Sequence, residues 1–216
     1  MEREAYLENP CKASSLPFWK TNLVKIPENM KIVLDEDLHN VDIREYVDEK
    51  YFKLIHRMND IEKPVLDDRY EMRCCEVLEY AKHIDTCYDD VGISTEELMN
   101  YQTHAVYNRN LWIAVTECGQ NKVVASGIAE LDADIKEGIL EWIQVSPEHR
   151  GKGLGKFVVN ELLWRMKGEA EFVTVSGKVD NPTNPRGLYV ACGFSNEAIW
   201  HVMKKERYLQ FLKQKT

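Results

Sequence analysis

The sequence predicts an α/β (α+β) domain built on a mixed, mostly antiparallel central sheet. Three observations predict it. Three apolar segments follow one another at hairpin spacing: "LWIAVTE" (111–117), "KVVASGIAELD" (122–132) and "GILEWIQVS" (138–146). A glycine-rich turn joins the third segment to a helix pattern. A buried-strand pattern, "FVTVSGKV" (172–179), follows that helix, so one β-α-β crossover succeeds the hairpins.

The 216 residues suit one large domain, or one domain with an arm, better than two full domains. Hydrophobic residues make up 44% of the chain, enough for a packed core and too many for a disordered chain. Residues 1–29 lack periodicity and are punctuated by Pro10, Pro17 and Pro27, while Leu16, Phe18 and Trp19 offer apolar anchors. They read as an arm packing on a domain that runs from 30 to 216.

Within that domain, "MKIVLDEDL" (30–38) and "YFKLIHRM" (51–58) read as strands. Asp67-Asp68 is placed to cap a helix through "RYEMRCCEVLEYAKHI" (69–84). Ser94 with Glu97 forms a capping-box signature for a helix over 94–104. After the hairpins, Leu154, Val158, Leu162 and Met166 form one stripe of a helix over 154–167, with Phe157 alongside and Gly168 at its end. A short helix "RGLYVAC" (186–192) and a last strand "AIWHVMKKE" (198–206) complete the domain. The C-terminal "MKKERYLQFLKQK" (203–215) is amphipathic and suits docking on the domain or on a second subunit, which leaves a homodimer open.

Composition narrows the function. No run of 18 apolar residues spans a membrane, and the N-terminus has no apolar h-region, so a cytoplasmic protein with no membrane partner is expected. Six scattered cysteines without a CxxC motif read as free thiols in or near the core, with no metal site. The net charge of −8 disfavours nucleic acid and favours a cationic substrate.

The turn between strand and helix reads "VSPEHRGKGLGKFVVNEL" (145–162). Unpaired N–H groups at a helix start, the positive end of the helix dipole, close-approach glycines and the cations Arg150, Lys152 and Lys156 make an anion site suited to phosphate. A Walker A loop and a dinucleotide fingerprint each require glycine at position 156, which is lysine. What remains is R-x-x-G-x-G: Arg150, Gly153 and Gly155.

"VSPEHRGKGLGKFVV" resembles the pyrophosphate-binding motif of the GNAT superfamily of N-acetyltransferases, and "VDNPTNPRGLYVACGF" (179–194) resembles that family's later N-x-x-A-x-x-L-Y-x-x-x-G-F segment. The two occur in family order, and the resemblance covers about 105–205. It implies the GNAT acyl-CoA N-acyltransferase fold, with helices on both faces of the sheet, and acetyl-CoA as cosubstrate without a metal. Carried over by position, the pantetheine would lie along Ile143, Gln144 and Val145, chiefly on the main chain of Ile143 and Val145. The pyrophosphate would meet Arg150, Gly151, Lys152, Gly153, Leu154, Gly155 and Lys156. An N–H near Ile143 would polarise the thioester carbonyl.

The same resemblance implies direct attack by a primary amine, with Glu141 as general base and Tyr189 as general acid on the leaving thiolate. Asp132 and Asp134 are alternative holders of a substrate cation. Asn181 and Asn184 both compete for the family's pantetheine-contacting asparagine, because one residue is inserted before Tyr189 and Pro185 stands where alanine is common. Asn181, directly after the strand, is preferred. His149 reads as an exposed loop histidine. Tyr51, Tyr70 and Trp112 suit an acceptor pocket or the core. The acceptor, a small-molecule or peptide amine, stays open. A non-catalytic acyl-CoA-binding module and a nucleotide-binding regulator are the competing readings.

Overall fold

The computed structural model describes residues 1–88 and 92–205. Three short helices come first: α1 (Arg3–Glu8), α2 (Pro10–Ala13) and α3 (Phe18–Thr21). β1 (Met30–Leu34) ends in a 3-10 turn over Asp35–Asn40, and β2 (Tyr46–His56) follows. Next come β3 (Tyr70–Arg73), α4 (Val77–Cys87), α5 (Thr95–Tyr101), β4 (Tyr107–Glu117), β5 (Val123–Asp132) and β6 (Glu137–Val145). α6 (Leu154–Met166), β7 (Phe172–Lys178), α7 (Pro185–Ala191) and β8 (Ser195–Lys205) complete the described chain.

These elements form two compact units. The first comprises, among the described residues, Met1–Ile55, Thr174–Gly187 and Phe194–Lys205. Its strands lie in the order β1-β8-β2-β7. β1 and β2 both run antiparallel to β8, with Leu34 and Tyr51 each opposite Trp200. The N-terminal helices pack in this unit through Tyr6, which is fully buried, and Cys11, whose carbonyl accepts the Trp200 Nε1–H at 2.9 Å. Lys53 is buried on β2, and its ammonium donates to the Tyr6 hydroxyl (3.1 Å) and to the Ser14 and Leu16 carbonyls (2.9 Å each). A buried charge demands such partners. His201 of β8 is likewise buried, between Asp48 at 2.7 Å and Asp35 at 2.9 Å.

The second unit comprises His56–Val173 and Leu188–Gly193, with strand order β6-β5-β4-β3, all antiparallel. Helices cover both faces of this sheet. On one face Tyr80, Ala81 and Ile84 of α4 and Leu98 of α5 pack with Ala114 and Ile128. On the other lies α6, whose predicted stripe of Leu154, Val158, Leu162 and Met166 is buried. α6 sits so close that side chains are excluded beneath it. A Cβ on Gly127 would fall 2.5 Å from Val158, and one on Gly138 would fall 2.4 Å from Met166.

The mixed, mostly antiparallel architecture agrees with the sequence reading, and several boundaries move. The predicted helix over 69–84 starts only at Val77. Asp67 closes a turn instead, accepting the Arg69 N–H at 3.0 Å, and Tyr70–Arg73 pairs with the Ala114–Glu117 part of β4. The helix start is set by Glu79, whose carboxylate accepts the Glu76 N–H at 3.1 Å. β1 is shorter than predicted because Asp35–Asn40 turns away, and β2 begins earlier, at Tyr46. Gly168 has φ +86° at the end of α6, as a C′ glycine requires. Cys74 and Cys118 are exposed rather than core, while Cys11, Cys87 and Cys192 are buried. Most of the amphipathic C-terminal segment lies outside the described residues.

Candidate active site

β6 carries the first half of the site. Its pairing with β5 slips once: Ile128 faces Trp142, whereas Ala129 faces Leu140. Glu141 is therefore the extra residue of a β-bulge, a device that breaks the ladder and re-aims a side chain. Beyond the bulge the ladder is regular again. The Ser146 N–H donates to the Val124 carbonyl at 2.9 Å, so by alternation Gln144 also turns its main chain to β5. Ile143 and Val145 turn theirs away from β5. Gln144 is buried, and its side-chain amide N–H donates to the Ser126 hydroxyl. Asp132 pairs with Glu137 at the far end of the hairpin, about 13 Å along the strand from Glu141, and its carboxylate accepts the Asp134 N–H at 3.1 Å.

The glycine turn carries the second half. Pro147–His149 forms one 3-10 turn, then Gly151 (φ +74°) and Gly153 (φ +82°) swing the chain into α6. Added Cβ atoms at these two glycines meet nothing within 4 Å, so it is backbone conformation that demands glycine there. Gly155 lies close to α7: a Cβ there would come 3.2 Å from the Leu188 side chain, which would have to shift. The Phe157 N–H returns to the Gly153 carbonyl at 3.0 Å, and Gly153 has no side chain to cap the turn. The N–H groups of Leu154, Gly155 and Lys156 are thus the helix's open donors. Arg150 is exposed, yet its guanidinium folds back onto the protein. Its guanidinium donates to the Val145 carbonyl at 3.2 Å and to the Cys87 carbonyl at 3.1 Å, which ties the end of β6 to the end of α4.

Two tyrosines belong to the same unit as this strand. Tyr189 of α7 is buried, and burial, with a smaller contribution from Tyr88, pushes its pKa above the usual phenol range. Tyr88, just past α4, donates its hydroxyl to the Ile143 carbonyl at 3.2 Å and stands edge-on to Trp142 at 6.1 Å. Burial pushes its pKa up to about 12. Both hydroxyls therefore stay protonated at neutral pH and can donate. Asn181 and Asn184 lie in the first unit. The Asn181 side chain accepts from Thr183 N–H at 2.9 Å and Thr183 Oγ1 at 2.7 Å, while Asn184 (φ +49°) accepts the Gly187 N–H at 3.2 Å at the start of α7.

His83, one turn before Cys87, links α4 to both strands beneath it. Its Nδ1 lies 2.8 Å from the Ser126 hydroxyl and its Nε2 lies 3.0 Å from that of Ser146. Hydroxyls donate or accept, so a neutral imidazole satisfies both contacts. Burial lowers its pKa to about 4 from the ordinary 6.5. The unfolded chain therefore binds protons more readily between these values. The stabilisation is complete above pH 6.5 and is lost as pH falls towards 4, on the order of 3 kcal/mol. Thermal melts should show the wild type losing more stability between pH 7 and 4.5 than a His83→Gln variant. Equal losses would refute this role for His83.

Sequence reasoning missed His83, which lay inside the predicted helix without an assigned role, and Tyr88, which lies beyond that helix's predicted end. It also placed His149 in solvent, whereas the side chain is buried, with Nε2 at 3.1 Å from Glu117 and an edge-on contact to Tyr70. Trp112 meets Tyr80 and Tyr107 edge-on at 5.4 and 5.8 Å and, with them, lines a cavity of about 530 Å³ that also takes in Met99 and Arg109. A second cavity, about 260 Å³, is lined by Lys156, Asn160, His56 and Cys192. Tyr51 lies in the first unit and donates to Glu49 at 3.3 Å. Among the described residues no cluster of His, Cys, Asp or Glu is placed to hold a metal, and no helix is long and apolar enough to cross a membrane.

A bulged strand leading through a glycine turn into a helix is the arrangement to compare with known proteins, and residues 107–196 match the acetyltransferase (GNAT) domain family. This stretch of the chain is similar to a GNAT domain. The chemistry of that family is acyl transfer from an acyl-CoA. The match includes β4, β5, β6, the glycine turn, α6, β7 and α7. No curated protein matches the sequence. Solved structures share the fold of the GNAT domain at low identity. A GCN5-related N-acetyltransferase from Sphaerobacter thermophilus is 14% identical, with a TM-score of 0.64 over 80% of this chain and 58% of its own. A GNAT-family acetyltransferase from Colwellia psychrerythraea is 16% identical (TM-score 0.58, 81% of this chain, 64% of its own). A GCN5-related N-acetyltransferase from Kribbella flavida is 12% identical (TM-score 0.56, 82% and 68%). The chain thus spans less than two thirds of the Sphaerobacter and Colwellia proteins.

Proposed function

We propose that this protein is an acetyl-CoA-dependent N-acetyltransferase acting on a primary amine. The observation that carries the reading is the run from the bulge at Glu141 to the open N–H groups of Leu154, Gly155 and Lys156, all within one unit. The residues fit the cosubstrate. The α6 N-terminus and the glycine turn suit the diphosphate, and the outward main chain of Ile143 and Val145 suits the pantetheine as an added strand would. Arg150 must exchange its carbonyl partners for phosphate oxygens, a charge-assisted and stronger pairing.

Acetyl-CoA supplies an electrophilic thioester carbon and a thiolate leaving group. An alkyl amine arrives protonated, since its pKa is near ~10, and Glu141 accepts that proton directly or through water. The Ile143 N–H stabilises charge developing on the thioester oxygen. Tyr189, protonated and buried, donates to the departing sulfur. The aromatic cavity at Trp112, on the α4 face of the sheet, suits an apolar part of the acceptor, while the chain's net charge of −8 favours a cation.

Free-thiol release from acetyl-CoA across a panel of polyamines, aminoglycosides, amino acids and lysine peptides tests the reading. Turnover with at least one amine is expected, with Tyr189→Phe lowering it by about 10²-fold. CoA binding without turnover on any amine would make the chain a binding module instead. Tighter binding of ATP or NAD than of CoA would make it a nucleotide regulator.

A further inference from the structure

We propose that Tyr88 is a further catalytic residue, donating a second hydrogen bond to the acyl carbonyl oxygen beside the main-chain N–H of Ile143. The proposal rests on the acyl-transfer reading above. Its starting point is that the Tyr88 hydroxyl already donates to the carbonyl of Ile143, at 3.2 Å. In extended backbone the N–H and C=O of one residue leave the strand on the same side, with N and O on the order of 3 Å apart. An oxygen held by the Ile143 N–H would therefore lie next to the group that Tyr88 now touches. A small swing of the phenol moves its donor from one acceptor to the other.

The phenol is held well enough for this task. Its ring stands edge-on to Trp142, at 71°. Its backbone is extended at the end of α4 (φ −130°, ψ 139°). That end of the helix is anchored by His83 to Ser126 and Ser146. Burial keeps the hydroxyl protonated at neutral pH, with its pKa pushed up to about 12. A neutral donor fixed before the reaction, aimed where negative charge develops, costs no reorganisation.

The balance of the step is as follows. The amine nitrogen forms a bond to the acyl carbon, and the π pair of the carbonyl moves onto its oxygen. Ile143 N–H and Tyr88 O–H bond that oxygen, and Tyr88 keeps its proton throughout. The C–S bond then breaks as the carbonyl reforms. Before attack the ammonium gives one proton to Glu141, which passes it to water. On collapse the sulfur takes a proton from Tyr189, the nitrogen loses its second proton, and that proton restores the Tyr189 hydroxyl.

Tyr88→Phe removes the hydroxyl and keeps the ring against Trp142. With the best amine from the panel, kcat/KM for acetyl-CoA should fall about 10²-fold, about tenfold of it in kcat and the rest in binding of the ground-state carbonyl. Binding supplies a readout independent of turnover. Two inert analogues are compared by calorimetry: S-ethyl-CoA, which lacks the carbonyl oxygen, and the methyl ketone in which a methylene replaces the thioester sulfur. The variant should lose about tenfold in affinity for the ketone and nothing for the thioether, as expected of one lost hydrogen bond to the carbonyl oxygen. An unchanged kcat, or equal effects on both analogues, would overturn the proposal. So would tighter binding of both, which would mean that the hydroxyl competes with the pantetheine for Ile143. If the wild type binds neither analogue and releases no thiol, the acyl-transfer reading itself fails.

Discussion

Replacing Glu141 by glutamine is expected to lower kcat for acetyl transfer by about 10²–10³-fold while leaving acetyl-CoA affinity within about twofold. The change removes a proton acceptor and keeps side-chain shape. The expectation comes from the backbone as much as from the residue type. The slip between Ile128 and Ala129 makes Glu141 the one residue of β6 without its own partner on β5, and such positions redirect a side chain out of the regular alternation. The pH dependence separates proton removal from packing. As pH rises towards the amine's own pKa, near ~10, more amine arrives unprotonated and the deficit should shrink. A kcat equal to the wild type across pH 6 to 9 would take Glu141 out of the reaction.

Replacing Gly127 by valine should strongly destabilise the protein. It lies on β5 directly beneath α6, where a Cβ meets Val158 at 2.5 Å, Leu162 at 2.9 Å and Ile143 at 3.3 Å. Val158 and Leu162 are fully buried and have no solvent to retreat into. Overpacking of this kind costs about 3 kcal/mol or more, which for a chain of this size lowers Tm by about 6–12 °C. Gly127→Ala should cost less, and Val158→Ala in that background should recover part of the loss, because the two changes share one contact. Gly119→Ala is the comparison: its φ of +76° disfavours a side chain, yet nothing stands within 4 Å, so its loss should be about 1 kcal/mol. Equal Tm values for Gly127→Val and the wild type would mean that α6 is not pressed against β5.

What was legible in the sequence was local and periodic. The β4–β5–β6 hairpins announce themselves by turn residues and apolar runs, and α6 by its four-residue stripe and the glycines at each end. The capping box at Ser94 is realised, with Glu97 N–H donating to the Ser94 hydroxyl at 3.1 Å. What was not legible depends on partners distant in the chain. Tyr70–Arg73 has helix-forming neighbours, and only pairing with the edge of β4 makes it a strand. β2 begins among the charged residues Asp48, Glu49 and Lys50, which hide its start, yet β8 pairs with it from Tyr46. His149 is buried because Glu117 lies opposite, 32 residues earlier. At the site the glycines leave marks in sequence, whereas the bulge at Glu141 appears only in the pairing with β5, and Tyr88 reaches Ile143 only through the tertiary placement of α4.

The strand order of the first unit has a consequence for how the protein is made. β1 and β2 emerge early in translation, yet the strand that both flank, β8, is synthesised roughly 140 residues after β2 ends. Most of the second unit is one continuous stretch, so it can assemble while the ribosome is still at work. Until β8 is released, two nascent strands wait with unsatisfied edges, and Lys53 and Tyr6 can hold only the segments around themselves. Any defect that slows or shortens the tail of the chain therefore leaves the head of it exposed to aggregation and to proteases, however sound the half that carries Glu141 and the glycine turn.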